Sequence, residues 1–294
     1  MLKHRDFTTT GSDGRSECNR LITTVIAKRP FTAKISTMAS TAIDDLFAGT
    51  LKQDYDDDGP WEAVQALRRL GTRDVFERAA AWCKSDDPLM RGRGLDVLAQ
   101  LGKTADHPVH SFPEDAYSVI SELIQREEDL RPMESAIYAL GHLHNVAAVP
   151  LIAAFHGHAS ADIRFSVACS LGSFPNDDLS VETLLLLMED SDEDVRDWAT
   201  FGLGVQGDQD SPKIRDALYC HLSDPNEDVR EEAMVGLGKR KDQRVLPLLF
   251  AAVNGPEIRI RVAEAASLML GMEANPEGWG PEEYGIALTE LFPY

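Results

Sequence analysis

The chain has 294 residues, 49 acidic and 29 basic side chains for a net charge of −20, and four scattered cysteines. That length gives one large or two ordinary domains, and Cys18, Cys83, Cys169 and Cys220 fit neither a disulfide-dense mini-fold nor a paired-cysteine metal motif. The acidity disfavours nucleic-acid binding, which needs a dense basic surface, and no apolar run is long enough to span a bilayer. The four cysteines suit a reducing compartment, so a cytoplasmic location is expected.

Charge is unevenly distributed. Residues 1–38 carry seven Lys or Arg and three acids, a net of +4, and the remainder carries −24. The opening is rich in Ser and Thr, and Leu21 to Ala27 is too short and too polar for a secretory core. A disordered basic tail is expected over residues 1–40, with an organelle transit peptide or a chain that starts at Met38 as alternatives. A repeat domain with a C-terminal capping helix is expected over residues 41–294.

The Asp54-Tyr55-Asp56-Asp57-Asp58-Gly59 string opens like a calcium loop, but Gln65 stands where a bidentate Glu is required. Asp58 alternatively caps the helix that starts at Pro60 and Trp61.

From there a Leu-Gly pair recurs, its glycines at 71, 102, 141, 172, 204, 238 and 271, spaced by 31, 39, 31, 32, 34 and 33 residues. Ala66, Val97, Ala136, Val167, Ala199, Ala233 and Ala266 lie five residues before these glycines. They make a small-residue stripe of helical period. The glycine itself is expected to end the helix in a left-handed conformation. Further helices are predicted at 75–84, 115–125, 147–155, 181–189, 214–222 and 245–253, with Pro150 and Pro247 in first turns. The long interval holds an inserted surface loop, Lys103 to Pro113, and Tyr284, Leu288 and Leu291 mark a terminal cap. Each repeat is a helical hairpin unable to bury its apolar face alone. The expected fold is therefore an all-α solenoid of about seven stacked hairpins.

The strings Asp194-Val195-Arg196-Asp197-Trp198-Ala199 through Gly204 and Asp228-Val229-Arg230-Glu231-Glu232-Ala233 through Gly238, with Asp162-Ile163-Arg164 through Gly172, resemble the HEAT repeats. They are most similar to the short HEAT-like repeats of phycobilisome chromophore lyases, and the resemblance covers about residues 60–271. It implies an α-α superhelix of HEAT/armadillo type and a ladder in which Arg164, Arg196 and Arg230 meet acids of neighbouring repeats. Met133, Gly94 and Ala263 stand where that arginine is expected in other units. In the resembling di-iron hydroxylases, His-Glu dipeptides follow the arginine. Here the equivalent pairs are Phe165-Ser166, Asp197-Trp198 and Glu231-Glu232, so that activity is excluded.

Two features are candidates for binding. His107, His110, His142 and His144 lie on one rim of adjacent repeats, either as a metal site or as surface-turn residues. Three residues before each glycine, Arg68, Ala99, Tyr138, Cys169, Phe201, Val235 and Leu268 form a mostly apolar row opposite the small stripe. Tyr138, Phe165, Cys169, Trp198, Phe201 and Val235 are expected to contact a partner on the concave face, unless the row only fills gaps between helices. The function expected is a non-enzymatic scaffold for a protein or peptide. The acidic rim admits a basic partner, and no nucleic acid, membrane, cofactor, metal or catalytic residue is assigned. The alternative is a chromophore-lyase-like or metal-dependent enzyme.

Overall fold

A computed structural model describes residues 42–52, 54–272 and 275–293. The tail expected over residues 1–40 lies outside the described residues. Residues 43–294 form one compact unit.

Among the described residues the regular structure is helical, with one isolated bridge between Thr104 and His107. The elements are α1 (residues 42–50), α2 (Asp58–Leu70), α3 (Arg73–Trp82), α4 (Pro88–Ala99), α5 (Pro113–Ile124), α6 (Leu130–Leu143), α7 (Val149–Ala153), α8 (Ala161–Leu171), α9 (Asp178–Leu187), α10 (Glu193–Phe201), α11 (Pro212–His221), α12 (Glu227–Lys239), α13 (Leu246–Val253), α14 (Ile260–Leu270) and α15 (Pro281–Leu291). From α3 to α13 each odd helix pairs with the even helix that follows it, and the even helices α2 to α14 stack on one another in chain order. The two helices of each hairpin thus bury a continuous core, in an α-solenoid closed at its C-terminal end by α15 against α13 and α14. Several odd helices begin two or three residues before their first expected position. Pro113 and Pro212 occupy first turns, where the missing N–H costs little, and the Asp177 side chain caps α9 through Ser180 N–H.

The small-residue stripe is buried from α4 to α14, with Val97, Ala136, Val167, Ala199, Ala233 and Ala266 wholly inaccessible. The glycines beside it do two different jobs. Gly71 and Gly271 cap their helices at positive φ as expected, Gly102 takes positive φ three residues past the end of α4, and Gly172 caps α8 with helical rather than left-handed φ. Gly141 and Gly238 lie inside α6 and α12 and serve close approach instead. A side chain at Gly141 would meet Ser170 Cβ at 2.9 Å, and one at Gly238 would run into the Ala265 carbonyl. Gly204 falls in a π-turn, residues 202–206, that continues α10 with a Gly207 N–H to Gly202 carbonyl bond of 3.0 Å. The turn brings Gly204 against Gly236, where a Cβ would come within 2.8 Å of the Gly204 Cα.

Arg240 holds this turn. Its guanidinium, almost fully buried, donates to the carbonyls of Leu203, Gly204, Gly207, Gln209 and Gly236 at 2.7–3.2 Å. Those are carbonyls that a helix end would otherwise leave to water.

The expected arginine ladder is present, with a corrected register. Arg91, Arg164, Arg196 and Arg230 all stand four residues after the N-caps of α4, α8, α10 and α12, Asp87, Ser160, Asp192 and Asn226. Each Nη1 donates to two carbonyls of its own preceding turn, at positions six and five residues earlier. Three also reach a carboxylate of the next repeat in a bidentate pair: Arg91 to Glu127 at 2.7 and 2.8 Å, Arg164 to Asp190 at 2.7 and 2.8 Å, and Arg196 to Asp224 at 2.9 and 3.1 Å. Gly94 therefore does not replace the arginine of its repeat. Arg91 fills the role, and the correct origin for counting is the cap, because Gly102 lies 15 residues after its cap whereas Gly172, Gly204 and Gly238 lie 12 after theirs. The Arg164 pair holds the Asp190 carboxyl below its usual range. At Asp224 burial opposes ionisation, but the Arg196 bond and the Asn226 amide outweigh it.

Arg240→Ala is expected to destabilise the protein by about 3 kcal/mol, because five buried carbonyls lose their donor. Arg196→Ala, at a rung partly open to water, is expected to cost about 1–2 kcal/mol. Chemical denaturation midpoints in the opposite order would contradict this account.

Candidate binding face

The site takes shape along the even helices. Phe165 on α8, Trp198 on α10 and Phe201 at the end of α10 are each partly exposed and pack edge-on, with ring centroids 5.7 Å apart for the first pair and 5.6 Å for the second. Such T-shaped contacts hold rings in fixed orientation while leaving one face of the cluster to solvent. Cys169 shares α8 with Phe165 and Tyr138 lies one repeat earlier on α6, both partly exposed and hydrogen-bonded to each other through their side chains. Burial raises the Cys169 thiol far above its ordinary value, so it is a packing and hydrogen-bonding group with no thiolate to offer as a nucleophile.

Val235 departs from the expected row. It is fully buried, packed in the core where Gly236 draws α12 against the end of α10, and it presents nothing to a partner. Ala99 and Arg68 are likewise buried, so the partly exposed row runs through Tyr138, Cys169 and Phe201 and resumes at Leu268.

Charged groups flank the aromatic cluster. The Arg261 guanidinium lies 5.6 Å from the Phe201 ring centre and pairs with Glu232 at 3.1 Å and Glu264 at 2.8 Å. Glu232 is 8% exposed, and its Oε2 has no hydrogen-bond partner. Burial pushes its pKa up to about 8, with Arg261 opposing and Asp197, Glu264 and Glu231 adding to the rise. On α6, burial raises Glu134 to about 7 despite Arg131 beside it. Neither carboxylate was singled out by the sequence, where both read as ordinary charges on an amphipathic helix.

The acidic 54–59 string takes a role that its composition hides. Its Tyr55 reaches over the even layer, donating its hydroxyl to Asp96 Oδ2 on α4 and lying 3.1 Å from Ser135 Oγ on α6. Beneath it the buried Arg93 donates to the carbonyls of Thr50 and Tyr55 and to Asp96, its charge 3.6 Å from the Tyr55 ring centre. Asp57, one residue before the expected Asp58, is the N-cap of α2, and its side chain accepts from Asp54 N–H instead. Asp56 faces Arg131 at 3.7 Å. The string is thus an arch pinned by Tyr55 over α4 and α6. The one hint in the sequence is an aromatic ring among four acids and a glycine.

The histidines are parts of turns. His110 is buried, its Nδ1 accepting from Phe112 N–H, so its Nε2–H donates to the Leu98 carbonyl at 2.6 Å. Burial, aided by Arg68 and Lys103, lowers His142 to about 4. His144 ends α6 at positive φ. Among the described residues no group of three or more His, Cys, Asp or Glu side chains could hold a metal ion, and no helix is long and apolar enough to cross a membrane.

Stability should fall as pH rises. Glu134 and Glu232 ionise near 4.3 when unfolded but near 7 and 8 when folded. Between those limits the unfolded chain binds fewer protons, and the stabilisation present below about pH 4 is lost as pH rises through 7 and 8. Glu232→Gln is expected to flatten the upper part of the curve. Urea midpoints from pH 5 to 9 that coincide for wild type and variant would refute this assignment.

With this geometry in place, comparison with known proteins identifies the repeat. Residues 181–269 match the family model for HEAT repeats. Phycocyanobilin lyase subunit alpha of Thermosynechococcus vestitus is 28% identical over 146 residues, which are 49% of this chain and 53% of that protein. The chain thus spans about half the length of this curated relative. Among solved structures, YibA of Escherichia coli superposes with a TM-score of 0.66 at 20% identity, covering 91% of this chain and all of the other. An engineered protein superposes with a TM-score of 0.52 at 14% identity, covering 90% and 77%. The structural likenesses establish the fold. The expectation of a protein with no enzymatic role is corrected by the sequence relative, which is named as a subunit of a lyase and so points toward lyase activity. Residues 181–269 are thus similar to HEAT repeats, and half of the chain is similar to a phycocyanobilin lyase subunit.

Proposed function

We propose that this protein is a HEAT-repeat binding subunit serving a lyase-type activity, and that it holds a polypeptide client along the face of the even helices, the face expected to be concave. The observation that carries this reading is the edge-on cluster of Phe165, Trp198 and Phe201, three large rings packed together and kept partly exposed on the even-helix layer. Tyr138 and Cys169 extend the contact surface toward the N-terminus, and Leu268 toward the C-terminus. Rigid aromatic side chains contribute large contact area at small entropic cost, which suits them to recognition.

The relative's name brings a second ligand into view, the bilin itself. A carboxylate-bearing tetrapyrrole would need a cation, and Arg261 is already shared by Glu232 and Glu264. The acids on this face suit a client with basic residues better, and disfavour nucleic acid. The reading includes a reducing, cytoplasmic setting, which the free thiols of Cys83, Cys169 and Cys220 support.

A photo-crosslinking phenylalanine derivative replacing Tyr138 in the native host is expected to trap one polypeptide. Phe201→Asp should cut that adduct at least about ten-fold, by burying an unpaired charge in the contact, while far-UV circular dichroism stays unchanged. An undiminished adduct would count against the face, and unfolding of the variant would assign Phe201 to the core. A stable coloured complex with phycocyanobilin, without a polypeptide adduct, would favour the bilin reading.

A further inference from the structure

Glu232 is the side chain in this face that the packing leaves unfinished. It is 8% exposed, its Oε1 is shared with Arg261 at 3.1 Å, and its Oε2 accepts no hydrogen bond. A buried carboxylate oxygen without a donor is costly, and folded proteins rarely leave one unless something else supplies the donor. The surroundings say what that donor would be. Arg261 is the guanidinium paired with Glu232, and it also serves Glu264. Arg259 on the same repeat is engaged by Glu227, Glu231 and Asp228. Asp197 on α10 adds a further negative charge toward Glu232. Beside these acids stand Trp198 and Phe201, the rings of the exposed cluster, and Arg261 already shows that a cation sits favourably over Phe201.

We infer that the corner formed by Glu232, Trp198 and Phe201 is an anchor pocket for a cationic side chain, lysine or arginine, presented by the polypeptide that the even-helix face holds. This rests on the reading of that face as a client-binding surface and adds the chemistry of its specificity. An ammonium or guanidinium entering there donates to Glu232 Oε2 and lies against aromatic faces. Such a pocket combines charge and ring recognition and rejects a neutral or acidic residue at the same position. The groups facing Glu232 are Asp197 from α10, Glu231 from its own helix, and Arg261 and Glu264 from α14. Only the ionised carboxylate attracts the guest fully, so binding takes up the cation and releases a proton over the range in which Glu232 titrates in the free protein.

The test uses the full chain and a synthetic twelve-residue peptide of Lys, Ala and Gly, with its Glu, Ala and Gly counterpart as control. Binding is read from Trp198 fluorescence, isolated by subtracting the Trp198→Phe protein. The lysine peptide is expected to bind and the glutamate peptide not to. Glu232→Gln should weaken the lysine peptide about thirty-fold or more, whereas Glu182→Gln, which removes the same charge from the exposed side of α9, should leave affinity unchanged. Wild-type affinity should rise between pH 6 and 9, and the Glu232→Gln affinity should stay flat. Equal affinity in Glu232→Gln and wild type, or equal losses in Glu232→Gln and Glu182→Gln, would overturn the anchor. If the Tyr138 crosslink to a client persists in that case, the client-binding reading stands without it. If Glu232→Gln loses its helical signal, Trp198→Leu replaces it as the variant. The lysine peptide, followed by calorimetry, should then lose at least about ten-fold in affinity.

Discussion

The structure depends on an arginine placed four residues past a helix cap. From there one guanidinium spans three levels of organisation: it stands on its own helix, closes the preceding turn through two carbonyls, and reaches a carboxylate of the next hairpin. The acceptor acid stands two residues before the next cap and also accepts from that cap's amide, as Asp190 does from Asp192 and Asp224 from Asn226. Turn shape, helix start and repeat spacing are therefore fixed by one bonded group. The apolar core can tolerate sliding between hairpins, since dispersion contacts are not directional. A bidentate pair with two carbonyls behind it cannot.

The periodic parts of this arrangement were legible in the sequence because they follow from recurring residue types. The Leu-Gly pairs and small stripe gave the hairpins, and the Asp-Ile-Arg and Asp-Val-Arg strings gave the rungs at Arg164 and Arg196. Legibility failed where the repeat keeps a role but shifts it. Arg91 is invisible when counting back from Gly102, since that glycine lies 15 residues after its cap, beyond the end of α4 at Ala99. Gly141 and Gly238 look like helix stops but are contact points, a difference that depends on what the neighbouring helix brings to the same height.

The binding face was half legible for a related reason. Helical periodicity showed which side of each helix Tyr138, Phe165, Trp198 and Phe201 share, but not how far each neighbour covers them. The close approach at Gly204 and Gly236 buries Val235, although it occupies the same register as the partly exposed Phe201. Glu134 and Glu232 escaped notice because a carboxylate's environment is three-dimensional. Tyr55 did so because its partners, Asp96 and Ser135, are 41 and 80 residues away.

One of the junctions that lack the arginine–carboxylate rung shows what can stand in its place. Between α6 and α8, Met133 stands where the arginine would be, and His158 replaces the acid, its Nδ1 accepting from the Ser160 amide. Gly141 lies against Ser170 there, and the Ser170 hydroxyl donates to the Ile137 carbonyl at 3.1 Å. Salt screens ion pairs and acid discharges them, but neither affects a close backbone contact or a neutral hydrogen bond. This junction is therefore held by packing and an uncharged hydrogen bond, where its neighbours on either side use the Arg91 and Arg164 ion pairs that salt weakens.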